Sequence, residues 1–116
     1  MKQLGIECIA ANALIELEKE LGIREITLAD LFIYANKVVE LYKREIDSDV
    51  VLIATSEDIN ELVNNYPDYF QLDEQTIKLV DNADLFEIKE MFRWSVSYEM
   101  LKIISKVDIT NVIKVG

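Results

Sequence analysis

Histidine is absent from this 116-residue chain, cysteine, proline and tryptophan occur once each, and glycine occurs three times. Each shortage removes a class of chemistry. A serine, cysteine or threonine nucleophile would lack the imidazole base that usually activates it, so nucleophilic catalysis is set aside. The lone thiol, Cys8, cannot close an internal disulfide and reads as a small core hydrophobe, while a structural zinc site would need ligands the chain does not carry. Gly5, Gly22 and Gly116 stand apart, so no glycine-rich loop exists to cradle a nucleoside triphosphate. No run approaches the ~18 apolar residues of a membrane span, and the N-terminus has no basic segment followed by an apolar one, so the expectation is a soluble cytoplasmic protein. With no Pro/Ser linker, low-complexity tract or repeat, residues 1–116 read as a single domain. The expectation is a non-enzyme without cofactor or metal.

The most telling shortage is local. Between Arg44 and Lys78 there is no basic side chain, yet nine acids stand there: Glu45, Asp47, Asp49, Glu57, Asp58, Glu61, Asp68, Asp73 and Glu74. The formal net charge is −10. Residues 1–44 carry six bases and seven acids, residues 45–87 one base and twelve acids, and residues 88–116 five bases and three acids. The middle third therefore holds the whole excess, which favours solubility and repels phosphate backbones. Asp47 and Asp49 resemble the opening of a calcium loop, but the glycine and terminal glutamate of that motif do not follow at the required spacings.

Hydrophobic periodicity supplies the elements. Ala10, Leu14, Leu17 and Leu21 recur at helical spacing over Ile9–Leu21, and Gly22 suits the left-handed residue that closes a helix. A short extended piece at Ile23–Ile26 precedes Thr27, a candidate N-cap with Asp30 three residues on. The next helix, to about Glu45, places Leu28, Leu31, Phe32, Ala35, Val38, Val39, Tyr42 and Ile46 in one ~120° arc. Tyr34 and Leu41 fall outside it, either partly covered by a loop or forming a small contact patch. Val50–Ile53 reads as a short buried strand or an extended connector. Thr55 or Ser56 then caps a helix with Ile59, Leu62, Val63 and Tyr66 as its apolar face, stopped by Pro67. Phe70 and Leu72, then Ile77 and Leu79, alternate as a hairpin would. With no glycine or asparagine between them, a longer type I loop is expected in place of a two-residue primed turn. Asp84 and Glu87 open one long last helix over about 84–106, apolar around its whole circumference. The tail Val107–Val115 alternates enough to add a strand.

The helix Ser56–Tyr66 followed by the hairpin Tyr69–Val80, with the run YPDYFQLDEQTIKLV, resembles the third helix and wing of winged-helix domains. The resemblance is one of architecture and covers about residues 23–80. Together with the helices read from periodicity, it leads to the expectation of an α+β, mostly helical fold: a winged-helix-like core, a small hairpin and a long C-terminal helix. It also implies that the helix before the wing would enter a DNA groove. The positions that would face DNA carry Glu57, Asp58, Asn60, Glu61, Asn64 and Asn65, and the wing tip carries Asp73 and Glu74 with Lys78 the one base. Such a surface repels phosphates.

The reading that follows is a regulatory or adaptor protein that binds a protein partner with a basic surface through Glu57, Asp58, Glu61, Asp68, Asp73 and Glu74. Two alternatives stand beside it. One is a winged-helix DNA-binding regulator acting as a dimer, with bases converging from Arg24, Lys37, Lys43 and Arg44. The other is an inhibitor whose acids imitate a phosphate track inside a nucleic-acid-binding protein. In the last helix Lys89 and Arg93 face one way and Lys102 and Lys106 the opposite way, so they make no basic stripe. Trp94, Tyr98 and Leu101 project opposite Phe92, Val96 and Ile103. That second apolar side is expected to be covered by a second copy, giving a homodimer, or else by the N-terminal helix and tail.

Overall fold

The computed structural model describes residues 2–93 and 97–113, with the backbone alone of Lys2, Ile53 and Arg93. Strand β1 (Lys2–Gly5) runs without a break into helix α1 (Ile6–Leu21), and β2 (Glu25–Thr27) runs into α2 (Leu28–Glu45) in the same way. Then follow β3 (Val50–Ile53), α3 (Ser56–Asn65), β4 (Phe70–Asp73), β5 (Thr76–Leu79), α4 (Leu85–Arg93), α5 (Tyr98–Lys106) and a 3-10 turn at Ile109–Asn111. The fold is a helix-rich α+β globule.

Helix α1 is its centre. Ile6, Ile9, Ala10, Ala11, Ala13, Leu14, Ile15 and Leu17 are all buried, and at 100° per residue they cover an arc of about 240°. The three alanines let neighbouring backbones approach, so α2, α3, α4 and the 3-10 turn all pack on this one helix. Each fully buried Leu or Ile contributes about 1.5–3 kcal/mol. Gly22 ends the helix at φ 68°, donating its N–H to the Leu17 and Glu18 carbonyls, a conformation other residues adopt only with strain.

The two sheets differ in kind. β1 and β3 pair in parallel, Leu4 opposite Leu52. β2, β5 and β4 form an antiparallel sheet in that order, with Ile26 opposite Ile77 and Phe70 opposite Leu79. Its partner makes Val50–Ile53 a strand. In the hairpin Asp73 pairs directly with Thr76, so the expected long loop is corrected to a two-residue turn. Glu74 takes φ 56° to make it, and the Gln75 carbonyl accepts the first N–H of α2, from Leu28, at 2.8 Å. That tertiary hydrogen bond offsets the strain of a left-handed glutamate, about 1–2 kcal/mol.

The expected long last helix is two helices. Ser97 caps α5, its hydroxyl accepting the Met100 N–H at 3.1 Å. A serine that satisfies an orphan N–H starts a helix better than it continues one. The circumference of apolar residues is thereby divided: α4 buries Ile88 and Phe92, and α5 buries Met100, Ile103 and Ile104. Trp94 and Val96 lie outside the described residues. The tail forms no strand through Ile113: Asp108 caps the 3-10 turn through the Thr110 N–H, and Ile109 is buried against α1. Tyr34 is corrected too, from partly covered to wholly buried, and its hydroxyl has no hydrogen-bond partner among the described residues. Burial, then the charge of Glu16, pushes its phenol well above the usual range. Leu41 is half-buried against the core.

Candidate interaction face

Helix α3 begins where the Thr55 hydroxyl accepts the Asp58 N–H at 3.3 Å and the Asp58 carboxylate accepts the Thr55 N–H at 2.7 Å. This reciprocal cap satisfies two orphan donors and sets the helix in register. Ile59 and Leu62 are then buried, with Val63 half-buried beside them. Glu57, Asn60, Glu61, Asn64 and Asn65 are all exposed, and they fall within an arc of about 140° on the other side. Tyr66 closes the helix by packing edge-on against Phe92, ring centres 5.2 Å apart.

Two groups of acids result. In the first, Glu7 from the start of α1 joins Asp58 and Glu61. Burial, then repulsion from Glu61 and from Asp58, raises the Glu7 carboxyl above its ordinary value. Glu7 and Glu61 border a cleft of about 420 Å³ lined also by Gly5, Asn65 and Tyr66. In the second group, Asp68 stands with Asp84 and Glu87 around the Tyr69 hydroxyl, which donates to Glu87 at 2.8 Å. That hydrogen bond first, then burial and the three negative charges, raises the Tyr69 phenol.

The predicted acids are thus only partly gathered. Asp73 and Glu74 belong to neither group and sit at the hairpin tip, where Lys78 pairs with Asp73 at 3.7 Å. Among the described residues Glu57, Asp58, Glu61, Asp68 and Glu74 form no salt bridge. Asp58 is different in role: its carboxylate is committed to the helix cap. The reading from sequence missed Glu7, Asp84 and Glu87, whose approach to the other acids depends on packing between α1, α3, β4 and α4. Asp47 and Asp49 form a local turn, the Asp49 N–H donating to the Asp47 carboxylate at 2.9 Å.

The bases are placed as follows. Arg24 donates to both Glu18 carboxylate oxygens at 2.6 and 2.7 Å and to the Val80 carbonyl at 2.7 Å, tying the end of α1 to the end of β5. Lys106 pairs with Glu45 at 2.7 Å, joining α5 to α2. Lys37, Lys43 and Arg44 are exposed on α2. Because α4 and α5 are separate helices, a single rotation angle no longer relates Lys89 to Lys102. Tyr98 is exposed, Leu101 is half-buried, and Trp94 lies outside the described residues.

Among the described residues no three Cys, Asp or Glu side chains converge as metal ligands, and no helix is long and apolar enough to cross a membrane. Cys8 is half-buried against the core. Comparison with protein-family models, with curated proteins and with solved structures finds no match to this chain.

Proposed function

We propose that this protein is a regulatory or adaptor module without catalytic activity, which docks on the basic surface of a protein partner through the polar face of α3 and the acids beside it. The observation that carries this reading is the exposure of Glu57 and Glu61 on one helix face, beside Asp58 and Glu7, with no salt-bridging cation among the described residues. Like charges held together raise one another's energy, and an arriving Lys or Arg relieves that repulsion. Asp68, Asp84 and Glu87 extend the field to the next loop, and Asp73 and Glu74 to the hairpin tip. The field speeds encounter, while each exposed pair adds only about 0–1 kcal/mol of affinity.

The winged-helix reading of residues 23–80 is supported by the succession β2, α2, β3, α3, β4, β5, which α1 precedes, and by the strand order β2-β5-β4. Three features count against using it on DNA. The candidate reading helix carries acids. The hairpin tip is held to the start of α2 by the Gln75–Leu28 hydrogen bond instead of projecting. Arg24, one of the four bases a DNA-binding dimer would need, is engaged by Glu18 and Val80.

The test is capture of partners from the native host with wild-type protein and with Glu57→Lys/Glu61→Lys, leaving Asp58 and its cap intact. A partner whose association rate falls with salt and with the double reversal supports the reading. An unchanged association rate places the interface elsewhere. A 20-base-pair duplex bound with sub-micromolar, salt-sensitive affinity in fluorescence anisotropy would replace it with DNA binding. If the captured partner itself binds nucleic acid and loses it to this protein, phosphate mimicry becomes the mechanism.

A further inference from the structure

The groove between α1, α4 and α5 takes no part in the acidic face. Its floor is apolar: Ile15, Phe92 and Leu101 line a cleft of about 340 Å³. Through the shared residues Asn12, Lys89 and Leu101 this cleft continues into a second cavity of about 490 Å³, bordered by Glu16, Glu20, Ile104 and Asp108. Phe86 lines the first cleft and is 71% exposed. Tyr98 is 82% exposed and precedes Leu101 by three residues on α5, which puts the two on neighbouring positions of one helix face. A large exposed ring such as Phe86 lining an apolar cleft marks a contact surface more than the same ring standing alone.

The rim decides what fits. Lys106 is already held by Glu45 at 2.7 Å, and among the described residues the one cation that pairs with Glu16 is the exposed Lys19, at 3.9 Å. Glu20 has no salt bridge among the described residues. The lining therefore offers Glu16 and Glu20 along the α1 wall, with Lys89 and Glu90 from α4 and Asp108 beyond α5. α4 and α5 are nine residues each, about 13 Å long, enough to receive two to three turns of another helix.

We propose that this groove binds a basic amphipathic helix of a protein partner. Apolar side chains at i, i+3 or i+4, and i+7 fill the Ile15–Phe92–Leu101 floor, and lysines or arginines on the helix flank face Glu16 and Glu20. A second copy of this chain is the poorer occupant, because a two-fold contact would bring two sets of these acids together. None of the acids proposed for the α3 face lines this groove, so the site stands or falls separately from that face.

The test uses the full chain and two fluorescein-labelled peptides of ~14 residues, one a leucine–lysine amphipathic helix, the other the same composition with the leucines scrambled. At about 0.15 M salt, where long-range attraction is largely screened, the amphipathic peptide is expected to bind at least ~10-fold tighter than the scrambled one. Its NMR amide shifts are expected on α1, α4 and α5. Leu101→Ser, and separately Glu16→Lys/Glu20→Lys, which changes only side chains at the surface of α1, are each expected to weaken it about 10-fold. Glu57→Lys/Glu61→Lys is expected to change it less than ~3-fold. Equal binding of the two peptides, shifts confined to α3, or loss of binding on reversing Glu57 and Glu61 would each overturn the proposal. So would light scattering that shows a dimer at about 100 µM which Leu101→Ser dissociates, since the groove would then belong to a second copy.

Discussion

Helices α1 and α3 lie against each other and are held in place by opposite means. α1 has no side-chain cap at Gly5 and is fastened by eight buried side chains, whereas α3 buries only Ile59 and Leu62 and carries a full capping box. Burial makes α1 unusable as a surface over most of its circumference. Its caps let α3 keep most of its circumference in water, where Glu57 and Glu61 are available. A helix that offers a charged face to a partner needs stability that does not come from that face.

The sharpest way to break this comparison is to empty the centre. Leu14→Ala removes a wholly buried side chain of α1 and is expected to cost about 2–5 kcal/mol in urea unfolding. A loss below about 1 kcal/mol would mean that α1 is not the core helix. On α3 the corresponding change is to the cap: Thr55→Ala is expected to cost about 1 kcal/mol, with the effect confined to hydrogen-exchange protection of residues 56–65. Equal loss of protection in α1 would show that the two helices are not separately held.

Tyr34→Phe sharpens the account of α2. Removing a buried hydroxyl without a partner is expected to stabilise the protein by about 1 kcal/mol. A destabilised variant would show that the hydroxyl is satisfied in solution.

The smallest expected effect is at the junction of the two helices. The Glu7 carboxyl is raised in the folded state, so folding holds that proton more tightly than the unfolded chain does. The protonated form contributes stability below the ordinary carboxylate range, and that contribution is lost as pH rises through the raised folded value. Glu7→Gln is expected to remove this slope and to raise stability at pH 7 by less than about 1 kcal/mol. Reversing Glu61 to lysine in the wild type is expected to bring the Glu7 carboxyl back down, measurable by NMR titration. No change at Glu7 would separate the two acids.

Local sequence determined what depends on neighbours in the chain. Apolar spacing and Gly22 delimit α1 at its end, Thr27 and Thr55 start α2 and α3, and the polar arc of α3 follows from 100° per residue. The shortage of bases between Arg44 and Lys78 is a property of composition alone. Tertiary structure decided the rest. Lys-Gln-Leu-Gly has no alternation of its own and is a strand only because Val50–Ile53 lies beside it. Glu74 adopts a left-handed turn because Leu28 of α2 supplies a donor to the next carbonyl. Tyr34, off the apolar arc of its helix, is buried because other elements, α1 with Glu16 among them, pack on α2. Glu7 joins Asp58 and Glu61, and Asp84 and Glu87 join Asp68, because packing sets charges 16 to 54 residues apart side by side. A helix start or a polar face is an energy summed over one or two turns, and the chain writes it directly. A buried ring, a shared strand or a like-charge cluster exists only after loops have closed and elements have met, and its energy belongs to the contact between them.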